Sequence, residues 1–279
     1  MKLIADSGAT KTQWALVDDT ACSAPLVFTT GGINPAVMTE NVLESTLTEA
    51  LSGIRAHSVS EVRFYGAGCL PEICPAVENV IAGITGATDV EVASDMLGAA
   101  RALFGRAPGI AAILGTGSNS CSYDGKNIVA NAPPLGYVLG DEGSGARLGI
   151  ALLNGVLKGY LPRALCRRFA DATGLDKSAV IERVYRRQAA NAFLASLVPF
   201  IADNIADPSI DGLVRNEFRL FFERNIISAY PSGLPVGFVG SIAVVFERQL
   251  RLTAESLGVE IGCIVRHPLP LMIEFHKKN

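Results

Sequence analysis

The feature that most constrains this chain is a short turn, Asp6-Ser7-Gly8-Ala9-Thr10-Lys11-Thr12, placed directly after the apolar run Leu3-Ile4-Ala5. Small and hydroxylated residues at the end of a strand can expose backbone N–H groups as a concave anion site, and Asp6 adds a carboxylate at its rim. The residues that follow have the character of a strand, and the spacing of a helix-opening P-loop is absent. The pattern predicts strand, phosphate-facing turn and strand, although an ordinary β-hairpin tip would look the same.

A second turn of the same kind occurs further along the chain. The apolar run Gly109–Leu114 ends in Gly115-Thr116-Gly117-Ser118, and a strand-like stretch, Cys121-Ser122-Tyr123, comes after it. Two strand–turn–strand units of similar composition, each opening one half of the chain, predict a duplicated domain. In that arrangement the two phosphate-binding turns face one another.

The composition excludes several classes of protein. The chain has 279 residues and a net charge of −3, and its Lys and Arg residues are scattered, so we expect no nucleic-acid partner. No apolar stretch reaches the roughly 18 residues of a membrane span, and we expect no membrane association. The first apolar run meets Asp6 too early for a signal peptide, which predicts a cytoplasmic protein.

The cysteines and histidines show no metal-binding spacing. They are Cys22, Cys69, Cys74, Cys121, Cys166, Cys263, His57, His267 and His276. Because no C-x-x-C pair is present, we expect reduced, mostly buried thiols and no structural zinc.

Strands alternate with helices in the first part of the chain. We predict strands over 2–6, 12–18, 26–30, 62–65 and 90–93, and helices over 35–54, 71–84 and 95–104. Asn34 is expected as the N-cap of the first helix, with Pro35 at its first position. Such alternation predicts a mixed sheet that is covered on both faces and binds ligands at the carboxyl ends of its strands.

The second part becomes helical after a glycine-rich loop over 133–145. We predict helices over 145–159, 163–173, 177–187, 190–205, 208–230 and 242–258, with Ser144 as a cap, and strands over 236–239 and 260–265. No low-complexity linker separates the halves. We therefore predict tightly joined domains over 1–107 and 108–267, the second with a helical insertion, and a C-terminal helix over 268–279 that returns to the first domain.

Three glycine-containing motifs carry a family resemblance. Asp6–Thr12, Leu114–Ser118 and Val239–Ala243 are similar to the phosphate-1, phosphate-2 and adenosine motifs of the actin-like ATPase and sugar-kinase (ASKHA) superfamily. With Ser94-Asp95 and L-G-D-E-G-S-G at 139–145, the chain most resembles the N-acetylglucosamine kinase group, whose family includes the activator ATPases of benzoyl-CoA reductase and 2-hydroxyacyl-CoA dehydratase. The resemblance implies an α/β fold of two ribonuclease-H-like domains, each a mixed sheet flanked by helices, with ATP and the acceptor in an active-site cleft between them. It also implies a homodimer.

The resemblance assigns roles to the residues of these motifs. Asp6 would bind Mg²⁺ through water, and Asp95 would be the general base that takes the proton of the acceptor hydroxyl. The predicted nucleotide-binding residues are Gly8, Ala9, Thr10, Lys11, Thr12, Gly115, Thr116, Gly117, Gly240 and Ser241. The predicted sugar-binding residues are Asn34, Asp95, Thr116, Ser118 and Asp141.

Each assignment has a plainer alternative. Asp6 could cap a turn, and Asn34, Asp95 and Gly240-Ser241 could serve only to begin helices. Lys11 and Asp141-Glu142 could be solvated loop residues.

The function that follows is ATP- and Mg²⁺-dependent phosphorylation of an amino sugar, at the 6-hydroxyl of N-acetylglucosamine or glucosamine. One alternative is an ATP-driven activator with an iron–sulfur cluster between two subunits, for which Cys121 and Cys166 are the candidate ligands. Another is a sugar sensor without catalysis, although such a protein would have no reason to retain Asp95 as a base.

One departure from the family concerns the C-terminus. Members of the family commonly continue after the last strand into P-x-x-G-A and a long apolar helix, whereas this chain has Pro268-Leu269-Pro270-Leu271-Met272-Ile273. We therefore expect the returning helix to be short or displaced.

Overall fold

The structure is a computed structural model that describes residues 1–8, 10–18, 24–56 and 58–277. Packing divides the chain into two compact units. The first comprises Met1–Ala107, Asp124–Ile128 and His267–Asn279, and the second comprises Pro108–Tyr123 and Val129–Arg266. The short segment 124–128, which the sequence analysis placed in the second domain, groups with the first unit.

The first unit contains a five-stranded mixed sheet in the order β3-β2-β1-β4-β5. Strands β1, β2 and β3 are antiparallel neighbours, and β4 and β5 run parallel to β1. The strands are β1 (Lys2–Ser7), β2 (Lys11–Val17), β3 (Leu26–Gly31), β4 (Glu61–Gly66) and β5 (Asp89–Ser94). The helices are α1 (Glu40–Ala50), α2 (Cys74–Thr85), α3 (Asp95–Phe104) and, from the C-terminus, α13 (Leu269–Lys277).

Alternate residues of β1 bury different faces of this sheet, as the two-residue period of a strand requires. Leu3 and Ala5 join a core that includes Leu47 of α1 and Ile81 of α2. Ile4 points to the opposite face, where the core is completed by α3 and α13. Helices therefore cover both faces, as predicted.

The C-terminal helix α13 is short but well packed. Its Met272 is fully buried, Lys2 Nζ donates to the His276 carbonyl at 2.9 Å, and His276 Nε2 lies 2.8 Å from the Tyr65 hydroxyl. Burial and the charges of Arg101, Arg63 and Lys2 lower the pKa of His276 to about 3, so the imidazole is neutral. The expectation of a short helix is confirmed, and the helix is docked on α3 and β1.

The second unit repeats the topology of the first. Its sheet has the order β10-β9-β6-β7-β8, in which β7 is antiparallel to β6 and β9 and β10 are parallel to it. The strands are β6 (Gly109–Leu114), β7 (Ser118–Tyr123), β8 (Ile128–Asn131), β9 (Val236–Val239) and β10 (Ile261–Val265). Because the two sheets have the same strand order, the predicted duplication is confirmed.

Helices make up most of the second unit. They are α4 (Gly136–Leu139), α5 (Gly145–Lys158), α6 (Arg163–Thr173), α7 (Lys177–Tyr185), α8 (Ala190–Ala195), α9 (Val198–Asp203), α10 (Pro208–Phe221), α11 (Ser241–Val245) and α12 (Glu247–Ser256). Buried side chains from α5 and α10, such as Leu152 and Phe218, pack with Phe238 of β9 in one large core. Of the helices in the described ranges, none is long and apolar enough to cross a membrane.

Several long predicted helices are interrupted. The segment 35–54 begins as a 3-10 turn, Pro35–Val37, and α1 starts only after Met38 and Thr39, which are extended. The segment 190–205 divides before Pro199, whose missing N–H allows it to begin a helix but not to continue one. The segment 208–230 ends in a π-helical turn, Phe222–Ile227.

Candidate active site

The predicted site residues of the first unit lie at the carboxyl end of its parallel strands. Asp6 is near the end of β1, Gly66 ends β4, and Asp95 follows directly after β5. The strand register pairs Ser7 with Gly66 and Gly66 with Ser94. This edge of the sheet therefore brings Asp6, the predicted metal ligand, and Asp95, the predicted general base, into the same region.

Asp95 is the first residue of α3, but it is not the helix cap. The cap is Ser94, whose Oγ accepts a hydrogen bond from the Leu97 N–H at 3.3 Å. The Asp95 carboxylate accepts a bond from the neighbouring Met96 N–H at 2.9 Å. Burial outweighs that bond and raises the pKa of Asp95 to about 6, which suits a general base near neutral pH.

Asp6 is a second partly buried carboxylate of unusual pKa. Burial, and then the charge of Asp95, raise the pKa of Asp6 to about 7 against the opposing effect of Lys11. Two oxygen-donor side chains that repel each other fit a hard dication such as Mg²⁺, which would relieve the repulsion. No cluster of three His, Cys, Asp or Glu ligands occurs among the described residues.

Asp6→Asn is expected to stabilise the protein in the absence of Mg²⁺ and nucleotide. A carboxyl group whose folded-state pKa is raised contributes stability at low pH, and this contribution is lost as pH rises from about 4 to about 7. The difference in the free energy of unfolding between the variant and wild type should therefore grow by on the order of 1–2 kcal/mol, in favour of the variant, from pH 5 to pH 8. Thermal unfolding at both pH values measures this difference.

Asp124→Asn is the control for this comparison. Hydrogen bonds from Asn127 and Lys126 hold the pKa of Asp124 below its usual range. Its replacement should therefore lower stability at pH 8 rather than raise it. If the stability of Asp6→Asn and of wild type changed equally between pH 5 and pH 8, the raised pKa of Asp6 would be contradicted.

The first predicted phosphate turn is a closed hairpin loop. Its Gly8 N–H donates to the Lys11 carbonyl at 2.9 Å, while Thr10 and Lys11 are exposed. Thr12 is fully buried, and its hydroxyl bonds to Ser7 Oγ at 2.7 Å and to the Gly31 carbonyl at 3.0 Å. A buried hydroxyl is not available to phosphate, so we withdraw Thr12 from the predicted set. The predicted residue Ala9 lies outside the described residues, as do Cys22 and His57.

Asn34 begins the 3-10 turn Pro35–Val37, and its Oδ1 accepts a bond from the Ala36 N–H at 3.2 Å. The turn after β4 packs against it, because a Cβ on Gly68 would lie 2.0 Å from Asn34 Oδ1. Gly68 also has a φ of +76°, which favours glycine. Asn34 therefore caps this turn through its side-chain oxygen, and its amide nitrogen is the group that could donate to a sugar.

The second predicted phosphate turn, Gly115-Thr116-Gly117, is joined to the start of α5. The carbonyls of Gly115 and Thr116 accept bonds from the N–H groups of Gly145 and Ala146 at 2.8 and 3.1 Å, and the Gly115 N–H donates to Gly117. Within the described part of the chain, the N–H groups of Thr116 and Gly117 have no backbone partner. These two adjacent N–H groups are therefore the donors that remain for an anion.

Asp141 lies against this turn. Its Oδ1 accepts a bond from the Ser118 N–H at 3.3 Å, and a Cβ on Gly117 would lie 2.9 Å from its Oδ2. Burial raises the pKa of Asp141. Ser118 and Asp141 line a cavity of about 310 Å³, and Pro133, Pro134 and Leu135 also line it.

Gly240 begins α11 with a φ of +127°, and Ser241 is exposed. A Cβ at Gly240 would lie 2.1 Å from the Leu114 carbonyl. Glycine is therefore required here by the close approach of β6, whatever its role toward adenosine.

Solved structures of similar proteins decide the family. A protein from Porphyromonas gingivalis described as a putative N-acetylglucosamine kinase is 42% identical, with coverage of 100% of this chain and 99% of its own and a TM-score of 0.95. This chain belongs to the N-acetylglucosamine kinase-like family of sugar kinases. A protein of the same description from Chromobacterium violaceum shares the fold at 22% identity, with 98% of each chain covered and a TM-score of 0.75.

The fold extends to more distant sugar kinases. A ROK family glucokinase from Streptomyces griseus, in complex with glucose and AMPPNP, is 15% identical over 95% of this chain and 93% of its own, with a TM-score of 0.55. Neither the protein-family models nor the curated proteins give a match. The actin-like, two-domain sugar-kinase fold predicted from the motifs is thus confirmed.

The cysteines of this family member are placed unfavourably for a cluster shared between subunits. Cys121, one of the two candidates, is fully buried in β7. The other, Cys166, is half-buried in α6, and its thiol donates to the Leu161 carbonyl at 3.5 Å. Neither side chain has the exposure that a shared cluster would need.

The cavity lined by Ser118 and Asp141 has four further polar residues that were not among the predicted site residues. They are Asn119, Glu142, Arg224 and Asn225. For Glu142, the alternative of a solvated loop residue is wrong, because the side chain is only 6% exposed. Arg224 and Asn225 fall inside a predicted helix, where no local pattern distinguishes them from surface residues.

Proposed function

We propose that this protein transfers the γ-phosphoryl group of ATP to a hydroxyl group of an amino sugar, the 6-hydroxyl of N-acetylglucosamine or glucosamine. The observation that carries the proposal is Asp95, a carboxylate with a pKa of about 6 that is relieved of helix capping by Ser94. Membership of a family whose 42% identical relative is described as a putative N-acetylglucosamine kinase supports the acceptor.

Each predicted site residue has a role in the proposed reaction. Asp95 accepts the proton of the sugar hydroxyl. At the same time the hydroxyl oxygen forms a bond to the γ-phosphorus of ATP, and the bond between that phosphorus and ADP breaks. The N–H groups of Thr116 and Gly117 bind phosphate oxygens, and Asn34, Ser118 and Asp141 bind the sugar. The residue that would hold Mg²⁺, through water, is Asp6. When bound, the ion neutralises charge on the phosphates.

The cavity beside Asp141 supports an amino sugar as acceptor. The carboxylate, amide and hydroxyl groups of its lining suit sugar hydroxyls, and its apolar residues Pro133, Pro134 and Leu135 suit a small apolar group. An acetamido substituent has both characters.

The test is ADP release from ATP and Mg²⁺ with a panel of N-acetylglucosamine, glucosamine, N-acetylmannosamine and glucose. We expect strong stimulation by one amino sugar, and ³¹P NMR of the product should show a 6-phosphate ester. Slow hydrolysis that does not depend on any sugar would contradict the kinase proposal and favour the activator alternative.

We also propose that the enzyme is a cytoplasmic homodimer, which the family resemblance supports. Light scattering in solution should give twice the monomer mass. A monomer at micromolar concentration would contradict the dimer and leave the kinase proposal intact.

A further inference from the structure

The backbone at Asp141 needs external support. Its φ is +56°, a left-handed conformation that residues with a Cβ adopt uncommonly. Such conformations persist where the surrounding structure enforces them, and they concentrate at functional sites. The contact with Ser118 restrains the Asp141 side chain but does not fix the chain that follows it.

The following residue, Glu142, supplies that support. It is 6% exposed, its Oε1 lies 2.8 Å from Arg224 Nη1, and its Oε2 lies 3.2 Å from Asn225 Nδ2. Burial alone would raise the pKa of Glu142, but the bonds from Arg224 and Asn225 hold it below its ordinary value. Glu142 is therefore an anion with both carboxylate oxygens bonded.

Arg224 and Asn225 belong to the π-helical turn Phe222–Ile227 at the end of α10. Turns of this kind are rare and occur often at functional sites. The Asn225 carbonyl accepts a bond from Ser120 Oγ at 2.8 Å, and the Tyr230 hydroxyl donates to the Ser120 carbonyl at 2.6 Å. The turn is thus fixed to β7, the strand that follows Gly115-Thr116-Gly117.

We propose that Arg224 and Asn225 are positioning residues for sugar binding. By holding Glu142 they fix the loop in which Asp141 adopts its left-handed conformation, and so they direct the Asp141 carboxylate to the acceptor cavity. Neither residue needs to contact a reacting atom. The inference rests on the proposed kinase function, since it assigns the sugar to Asp141.

The test compares wild type with Arg224→Gln in steady-state kinetics. Arg224 is exposed, but its partner Glu142 is buried, so losing Arg224 leaves a buried carboxylate without its cation and should raise KM for the sugar by about tenfold. The KM for ATP should stay within about twofold of wild type, because the turn proposed to bind phosphate is bonded to Gly145 and Ala146, whereas Glu142 is bonded to Arg224 and Asn225. Arg224→Lys keeps the charge and should restore part of the sugar affinity.

Arg219→Gln is the matched control. Arg219 is exposed like Arg224 and pairs with Glu223 at 2.7 Å, but Glu223 is itself exposed whereas Glu142 is buried. Its KM for the sugar should equal that of wild type. Asn225→Ala, which removes the weaker of the two bonds to Glu142, should have an effect of the same kind as Arg224→Gln and smaller in size.

Two results would overturn the inference. One is an Arg224→Gln protein with unchanged KM for the sugar, whether or not its unfolding temperature falls. The other is an equal rise in KM for ATP and sugar. A wild-type protein that phosphorylates no sugar would refute the proposed function separately. In that case the affinity of both variants for N-acetylglucosamine would be measured by calorimetry. Weaker binding by Arg224→Gln than by Arg219→Gln would support the positioning role, and equal binding would overturn it.

Discussion

Asp95→Asn is expected to lower kcat by about 10²–10⁴-fold while the affinities for ATP and sugar change little. Asparagine keeps the size of the side chain and an oxygen that can accept the Met96 N–H, but it cannot take a proton from the sugar hydroxyl. The start of α3 should be unaffected, because Ser94 and not Asp95 caps the helix.

Asp89→Asn provides a control on the same strand. Asp89 lies at the opposite end of β5, is exposed, and pairs with Arg63 at 2.6 Å. Arg63 is largely buried but keeps its ion pairs with Glu61 and Glu91, so this variant should lose about 1 kcal/mol of stability and retain kcat within about twofold. An Asp95→Asn enzyme with kcat within tenfold of wild type would show that another group is the base.

Much of the fold could be predicted because local chemistry and tertiary structure agree there. Short apolar runs that end in glycine or hydroxylated residues became β1, β6 and β9, and α3 and α6 have the predicted bounds. Gly105 and Gly174 follow these two helices directly and have positive φ values, so a residue readable in the sequence marks each end.

Other helix boundaries have no comparable signal. The chain becomes extended at Met38 and Thr39, although neither residue is a helix breaker. At Phe246 a change of direction separates α11 from α12 within a continuous apolar pattern, and the Phe246 side chain is buried in the core. Such interruptions are set by how a helix meets the rest of its unit, which the local sequence does not contain.

The two-residue period of a strand explains where the structure places two of the predicted site residues, Asp6 and Thr12. Asp6 shares a face of β1 with Ile4, toward α3, which carries Asp95. Thr12 shares a face of β2 with Trp14, whose indole is fully buried in the opposite core. A threonine two residues before a buried tryptophan points the same way, so its hydroxyl is directed into the core.

The bonds from Arg224 and Asn225 to Glu142 could not be predicted from the local sequence. Glu142 and Arg224 are separated by 82 positions, and their contact depends on how α10 ends. A glutamate beside glycines and an arginine in a polar stretch are ordinary surface residues by composition. Only the packing of α10 brings them together, so the motif that contains Asp141 and Glu142 gives no indication of Arg224 or Asn225.

Gly240→Ala is expected to lower the free energy of unfolding by about 3 kcal/mol or more, for two separable reasons. With φ +127° and ψ 160°, Gly240 lies in a backbone region that only glycine adopts readily, which accounts for on the order of 1–3 kcal/mol. In addition, the new Cβ would lie 2.1 Å from the Leu114 carbonyl, a backbone atom that cannot rotate away. To relieve the clash, β6 must move at its end, where Gly115-Thr116-Gly117 begins.

A displacement of β6 should change KM for ATP, whereas backbone strain at residue 240 alone should lower only the stability. Gly258→Ala is the control, because Gly258 also has a positive φ, +68°, but no atom lies within 4 Å of the position that its new methyl group would occupy. That variant should lose only about 1 kcal/mol in urea unfolding and keep its KM for ATP. Gly240→Ala should lose more stability and also raise KM for ATP, since the N–H groups of Thr116 and Gly117 are displaced with β6. Equal losses in the two variants would mean that β6 absorbs the methyl group without moving, and the glycine would then be explained by its backbone conformation alone.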